Sequence, residues 1–282
     1  MTTLTKLITV FLAFICIPLF ADETAWPFFA MDTAVQSLER INEVKQLGYS
    51  GIGWKQDTPE KLEVTVKRLR EMNLKLFAIY AGANLTKTDL TWAKQLEDDL
   101  TVLKGTGAIV WLPIYSKEFM ASAIEGDAVA VPALIRLADL AAKHEVRIAV
   151  YPHIGAWAER VQDAVRIAKQ VNRPNFGVTF NLCHCLMVGD EPLIPELLEQ
   201  ATPHMFVVTI NGADAGAART GWNRLIRPLD EGNFDLKNFL NKLRELKYSG
   251  PIGLQGYGVK LPAEENLRRS MNAWKQLVPA QP

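Results

Sequence analysis

Short apolar runs alternating with amphipathic stretches constrain this chain more than any other feature. They fall at Phe28 to Met31, Gly51 to Trp54, Leu74 to Tyr80, Ala108 to Ile114, Arg147 to Tyr151, Gly177 to Asn181, Met205 to Asn211 and Ile252 to Gln255. A short apolar run bounded by turn residues and followed by a helical stretch predicts a parallel strand with a crossover helix. Eight such units, spaced by roughly 23 to 45 residues, predict an α/β fold, a single (β/α)8 TIM barrel.

The intervening stretches carry helical periodicity and caps. Across Thr33 to Leu47, the residues Val35, Leu38, Ile41, Val44 and Leu47 recur at steps of three or four, and Gly48 stands where a C-cap glycine belongs. Thr58-Pro59 reads as an N-cap followed by a first-turn proline, and Asp235 opens a helix over Leu236 to Leu246. No Pro-, Gly- or Ser-rich linker divides the chain after Trp26, so residues 22–282 are expected to form one domain.

Residues 1–21 are of another kind. Lys6 precedes an almost wholly apolar run from Leu7 to Phe20, and Ala21 stands before Asp22 and Glu23. This is the pattern of a secretory signal peptide cleaved after Ala21, and a run of about 14 residues is short for a membrane span. The expectation is an exported protein, periplasmic or secreted, with no stable membrane anchor after cleavage. The cysteines left after processing, Cys183 and Cys185, are two apart on a segment read as extended, which does not close a relaxed disulfide. Lys plus Arg equals Asp plus Glu at 31 each, so no bulk field attracts nucleic acid.

Four predicted strands run straight into polar residues: Tyr151-Pro152-His153, Asn181-Leu182-Cys183-His184, Asn211-Gly212 and Gln255-Gly256. In parallel sheets ligands gather at the carboxyl ends of the strands, so these residues are expected to share one site. Asn and Gln each offer a donor and an acceptor, which suits sugar hydroxyls. Trp26, Trp54, Trp111 and Trp157 lie at or just beyond strand ends, and flat aromatic faces pack against sugar C–H faces. A small-molecule carbohydrate is therefore the expected partner, with Asn181, Asn211, Gln255, Trp54, Trp111, Trp157 and Asp32 as candidate binding residues. The small-residue loop from Gly212 to Trp222 is expected to be mobile and to bring Asp214, Arg219 or Trp222 over a ligand.

In order, Gly48-Tyr49-Ser50-Gly51-Ile52, Asn181-x-x-His184, Pro228-Leu229-Asp230-Glu231-Gly232-Asn233-Phe234-Asp235 and Tyr248-Ser249-Gly250-Pro251 leading to Gln255 resemble the xylose-isomerase-like TIM-barrel superfamily of sugar isomerases and epimerases. The resemblance covers about Trp26 to Leu277. It implies a divalent metal held by a Glu ending strand five, an Asp ending strand six, a His from strand seven and a Glu ending strand eight, with the two glutamates moving a proton beside a carbonyl. This chain departs at each position: Tyr151, Asn181, Thr209 or Asn211, and Gln255 stand there. Hard cations depend on carboxylate charge, so that site does not carry over.

His153 and His184 remain as imidazoles suited to one divalent transition metal such as Zn²⁺, with Asp214 as a possible anion. They are also the candidate acid/base residues, with Tyr151 as proton donor. Lys55 and Glu159 read more simply as solvated charges. Two functions stay open: an isomerase-, epimerase- or lyase-type enzyme on a neutral sugar or keto-sugar derivative, and a non-catalytic carbohydrate-binding barrel. A glycoside hydrolase ranks last, since it needs two flanking carboxylates and the strand ends offer only Asp32.

Overall fold

The computed structural model describes residues 26–31 and 37–279. Residues 1–21, Asp32 and the start of the first expected helix lie outside them. Eight parallel strands close a barrel: β1 (Phe28–Met31), β2 (Gly51–Lys55), β3 (Lys75–Tyr80), β4 (Ile109–Leu112), β5 (Arg147–Val150), β6 (Phe176–Asn181), β7 (Met205–Ile210) and β8 (Ile252–Gln255). The order β1-β8-β7-β6-β5-β4-β3-β2 brings the last strand beside the first, with Met31 opposite Gln255. Each strand is covered by helices outside and side chains inside, which is why these segments read as continuous apolar runs.

Packing inside the barrel rests on large and small residues facing each other. Phe29 stacks on Phe77 at 4.8 Å, and Ala78, Ile109, Trp111, Ala149, Tyr151 and Val207 complete this inner cluster. The Phe29 ring fits because Gly253 has no side chain: a Cβ there would come within 2.4 Å of the ring. The outer helices include α1 (Leu38–Leu47), α2 (Pro59–Glu71), α3 (Gln95–Leu103), α4 (Asp127–Lys143) and α5 (Val161–Val171). They continue with α6 (Leu182–Val188), α7 (Ile194–Ala201), α8 (Trp222–Leu225), α9 (Leu236–Glu245) and α10 (Ala263–Leu277). Gly48 caps α1 at φ 92°, Thr58 caps α2 ahead of Pro59, and Asp235 accepts the Asn238 N–H at 2.9 Å to open α9.

The two ends of the described barrel are clasped together. Phe28 of β1 lies flat on Trp274 of α10 at 4.1 Å, the Tyr49 hydroxyl donates to the Leu267 carbonyl at 2.8 Å, and the Trp26 indole donates to the Tyr248 carbonyl at 2.6 Å. The Tyr248-Ser249-Gly250-Pro251 turn is equally specific. Its tyrosine hydroxyl donates to Pro251 O at 2.8 Å and passes where a Cβ on Gly250 would sit.

Two local expectations need correcting. The run from Ala108 to Ile114 is not one strand: β4 ends at Leu112, and Ile114–Ser116 joins a separate small sheet with Ala83–Leu85 and Leu90–Trp92. Pro113 has no N–H for the ladder and divides them. Cys183 and Cys185 are not on an extended segment, because α6 begins directly after β6 with Asn181 at its N-cap. Both thiols are free and buried.

Candidate functional site at the carboxyl ends of the strands

A cavity of about 510 Å³ opens at the carboxyl ends of the strands. Its wall includes Trp54, Trp111, Tyr151, His153, His184 and Gln255 from the sequence reading, and Trp222 from the loop after β7. Met31, Tyr80, Ile226 and Tyr257 also line it, although no motif singled them out. Tyr80 and Met31 each end a strand, so the same rule that selected Tyr151 would have found them. Lys55 stands at the mouth with its side chain exposed.

Tyr151 follows β5 directly and is buried at the centre. Its hydroxyl oxygen accepts an N–H from the Asn181 amide and a longer one, 3.4 Å, from the Gln255 amide. Both amides have fixed orientations. The Cys183 thiol donates to Asn181 Oδ1 at 3.0 Å, and the Tyr257 backbone N–H donates to Gln255 Oε1 at 3.1 Å. Burial pushes the Tyr151 phenol well above its ordinary range, so it stays protonated.

The two histidines lie side by side, ring centres 4.0 Å apart, and share one residue's backbone. His153 Nδ1 lies 2.7 Å from the Ile154 carbonyl, which only accepts, so Nδ1 carries the proton. The Ile154 N–H in turn donates to His184 Nδ1 at 3.3 Å, so that nitrogen carries none. Burial lowers the pKa of both rings, His184 the further, where neighbouring His153 adds to the effect. Both are therefore neutral near pH 7.

Other expected residues lie elsewhere. Trp157 does not face the cavity: its indole donates to the Ala123 carbonyl at 2.7 Å, and its ring fills the space beside Gly126, pinning the loop before α4. Asn211 is wholly buried and donates to the Gly212 and Leu225 carbonyls. Asn181 stands behind Tyr151 rather than on the cavity wall. The loop expected to be mobile is tied down: Gly212 and Ala213 bridge to Arg227 and Gly232, and Asp214 is held by Arg224 at 2.9 Å and Arg227 at 2.7 Å. Asp214 is thus not available as a ligand anion. Glu159 accepts the Gly155 N–H at 2.9 Å, as a loop brace. Asp32 lies outside the described residues.

These residues do not fit a divalent metal. Among the described residues no three of His, Cys, Asp and Glu cluster. The Asn181 and Gln255 carbonyl oxygens already accept hydrogen bonds, and neither replaces a carboxylate for a hard cation. His184, with Nδ1 accepting an N–H, would have to ligate through Nε2 as an imidazolate, which leaves only His153 with an ordinary lone pair.

A family model described as "Xylose isomerase-like TIM barrel" matches residues 41–277. Among solved structures, a 3-keto-D-glucoside 4-epimerase from E. coli superposes with TM-score 0.68 at 16% identity, covering 89% of this chain and 99% of that one. A D-allulose 3-epimerase from Methylomonas sp., in complex with D-allulose, gives TM-score 0.68 at 17% identity over 90% and 97%. The IOLI protein with a binding zinc atom gives TM-score 0.73 at 18% identity over 89% and 98%. No curated protein matches by sequence. At these identities the structural likeness shows the shared fold.

Proposed function

The chain belongs to the xylose isomerase-like TIM barrel family, and from that premise we propose that it binds a neutral sugar or keto-sugar derivative and moves a proton beside its carbonyl, in an isomerase-, epimerase- or lyase-type reaction. One observation carries this reading: Tyr151, His153 and His184, all uncharged, share one cavity with the aromatic surfaces of Trp54, Tyr80 and Trp111. The rings suit a sugar's C–H faces, and a neutral imidazole near a phenol supplies a base and a donor. Two similar structures bear the names of keto-sugar and allulose epimerases, which supports the choice of carbonyl sugars.

The reaction is tested by incubating the protein with a panel of keto-hexoses in D₂O and following the C–H signals beside the carbonyl by proton NMR. Exchange that His153→Ala abolishes is the expected result. Saturable quenching of tryptophan fluorescence by the same sugars, with no exchange for any of them, would instead establish the second reading, a carbohydrate-binding barrel. That reading draws its support from the uncharged residues at the positions where the family resemblance implies carboxylates.

We also propose export, with residues 1–21 removed after Ala21. Amino-terminal sequencing of the mature protein from whole cells is expected to begin at Asp22. A chain starting at Met1 and sedimenting with membranes would sink the proposal.

A further inference from the structure

We propose that the cavity is an uncharged enolisation site in which His153 Nε2 accepts the substrate proton while the Tyr151 hydroxyl and His184 Nε2–H donate to the carbonyl oxygen. This rests on the carbonyl-sugar reading above and assigns each polar tip its role. The groups behind each tip leave it a single polarity. Tyr151 Oη already accepts N–H groups from Asn181 and Gln255, so its own hydrogen is not directed at either of them. The amides cannot exchange roles, because Cys183 and the Tyr257 N–H occupy their oxygens.

The Ile154 peptide does the same for the imidazoles. By taking the Nδ1 proton of His153 on its carbonyl and giving its N–H to His184 Nδ1, it sets them in opposite tautomers. His153 presents a bare Nε2 and His184 presents Nε2–H, and neither nitrogen is hydrogen-bonded among the described residues. The rings lie close enough to act on one small group: Tyr151 to His184 is 5.8 Å and Tyr151 to His153 is 6.4 Å between centres.

The step balances without an outside reagent. His153 Nε2 takes the proton from the carbon beside the carbonyl, the C–H electron pair becomes a C=C bond, and the carbonyl π pair moves onto oxygen. The resulting enolate oxygen lies between the two donors, neither of which loses its proton. Return of that proton from the His153 imidazolium to the same carbon restores the carbonyl and the neutral ring; delivery to the former carbonyl carbon restores a carbonyl at its neighbour when the hydroxyl there passes its proton to the enolate oxygen. A neutral imidazole N–H polarises carbonyls in this way in other isomerases, and donors aimed at a developing oxyanion are a major source of rate.

Long-range ¹H–¹⁵N NMR of the labelled, ligand-free protein at neutral pH tests the assignment, with His153→Gln and His184→Gln identifying the signals. The expected spectrum has His153 protonated at Nδ1 and His184 at Nε2. A reversed tautomer, or an imidazolium at either ring, overturns the proposal even if sugars exchange. In the D₂O assay, exchange is expected to persist in a chelator. Tyr151→Phe and His184→Ala should each slow it by roughly 100- to 1,000-fold, mainly in kcat, and His184→Gln, which keeps an N–H donor, should recover part. Exchange lost to the chelator and restored by Mn²⁺ or Zn²⁺ also overturns the proposal. No exchange with any keto-sugar, alongside the expected tautomers, overturns the function proposed above instead.

Discussion

Tyr151 is the residue on which the site turns, and its environment makes the stability of a small change predictable. Tyr151→Phe removes one oxygen but strands two buried amide donors, Asn181 Nδ2 and Gln255 Nε2. Leaving such groups unpaired costs roughly 1–3 kcal/mol, so urea denaturation should show a loss of that size with the fold intact. A second residue-scale prediction concerns Gly253. Adding a Cβ there drives it into the Phe29 ring, and Gly253→Ala should cost about 1–3 kcal/mol and lower the melting temperature. An unchanged melting curve would mean that the inner cluster repacks at no cost. At this scale the sequence made Tyr151, His153, His184 and Gln255 legible because each ends an apolar run or stands within three residues of its end. Trp157 and Asn211 carried the same positional signal but not its direction. The Trp157 indole reaches a carbonyl 34 residues earlier in the chain, and no local pattern contains that.

Among elements, α5 is fixed by Asp163 in its first turn as well as by its buried apolar face. One carboxylate oxygen accepts from the Ser122 hydroxyl at 2.6 Å and from the Glu159 and Arg160 N–H groups, while the other takes Arg166 at 2.6 Å. Arg166 also pairs with Asp127 at the start of α4. Asp163→Ala therefore removes a helix cap and leaves Arg166 half-partnered. A loss of about 3 kcal/mol is expected by chemical denaturation, with faster proteolysis of the loop around Ser122. A loss below about 1 kcal/mol would show that Asp127 alone holds Arg166. Element type was readable wherever a cap or a long period existed, as at Gly48, Thr58 and Asp235. It was not readable at the β6–α6 junction, where Phe180-Asn181-Leu182-Cys183-His184-Cys185-Leu186 is short, apolar apart from Asn181 and His184, and fits either period.

For the molecule as a whole, burying neutral histidines ties stability to pH. His153 faces Tyr115, Tyr151 and His184; His184 faces Tyr151, His153 and Trp222, so no carboxylate among the described residues steadies an added proton. Both native pKa values lie below the ordinary 6.5. Above that value the rings are neutral in the folded and unfolded states and contribute no slope. As pH falls from about 7 towards 5 the unfolded chain binds protons first, and stability declines until the native values are reached. The urea midpoint should therefore fall over this interval, and His184→Gln should flatten part of the slope. A midpoint independent of pH there would contradict the burial of these rings as neutral groups.

The clasp of Phe28 on Trp274 settles an orientation as well as a closure. Both chain ends of the described barrel meet at the amino-terminal rim of the strands, at the pole opposite the cavity. Anything joined ahead of Trp26 or after helix α10 is thus tethered behind the molecule. A fusion partner, an affinity tag or a solid support attached at either end would leave the mouth facing outward, and a surface-immobilised sample should bind ligand as well as a free one.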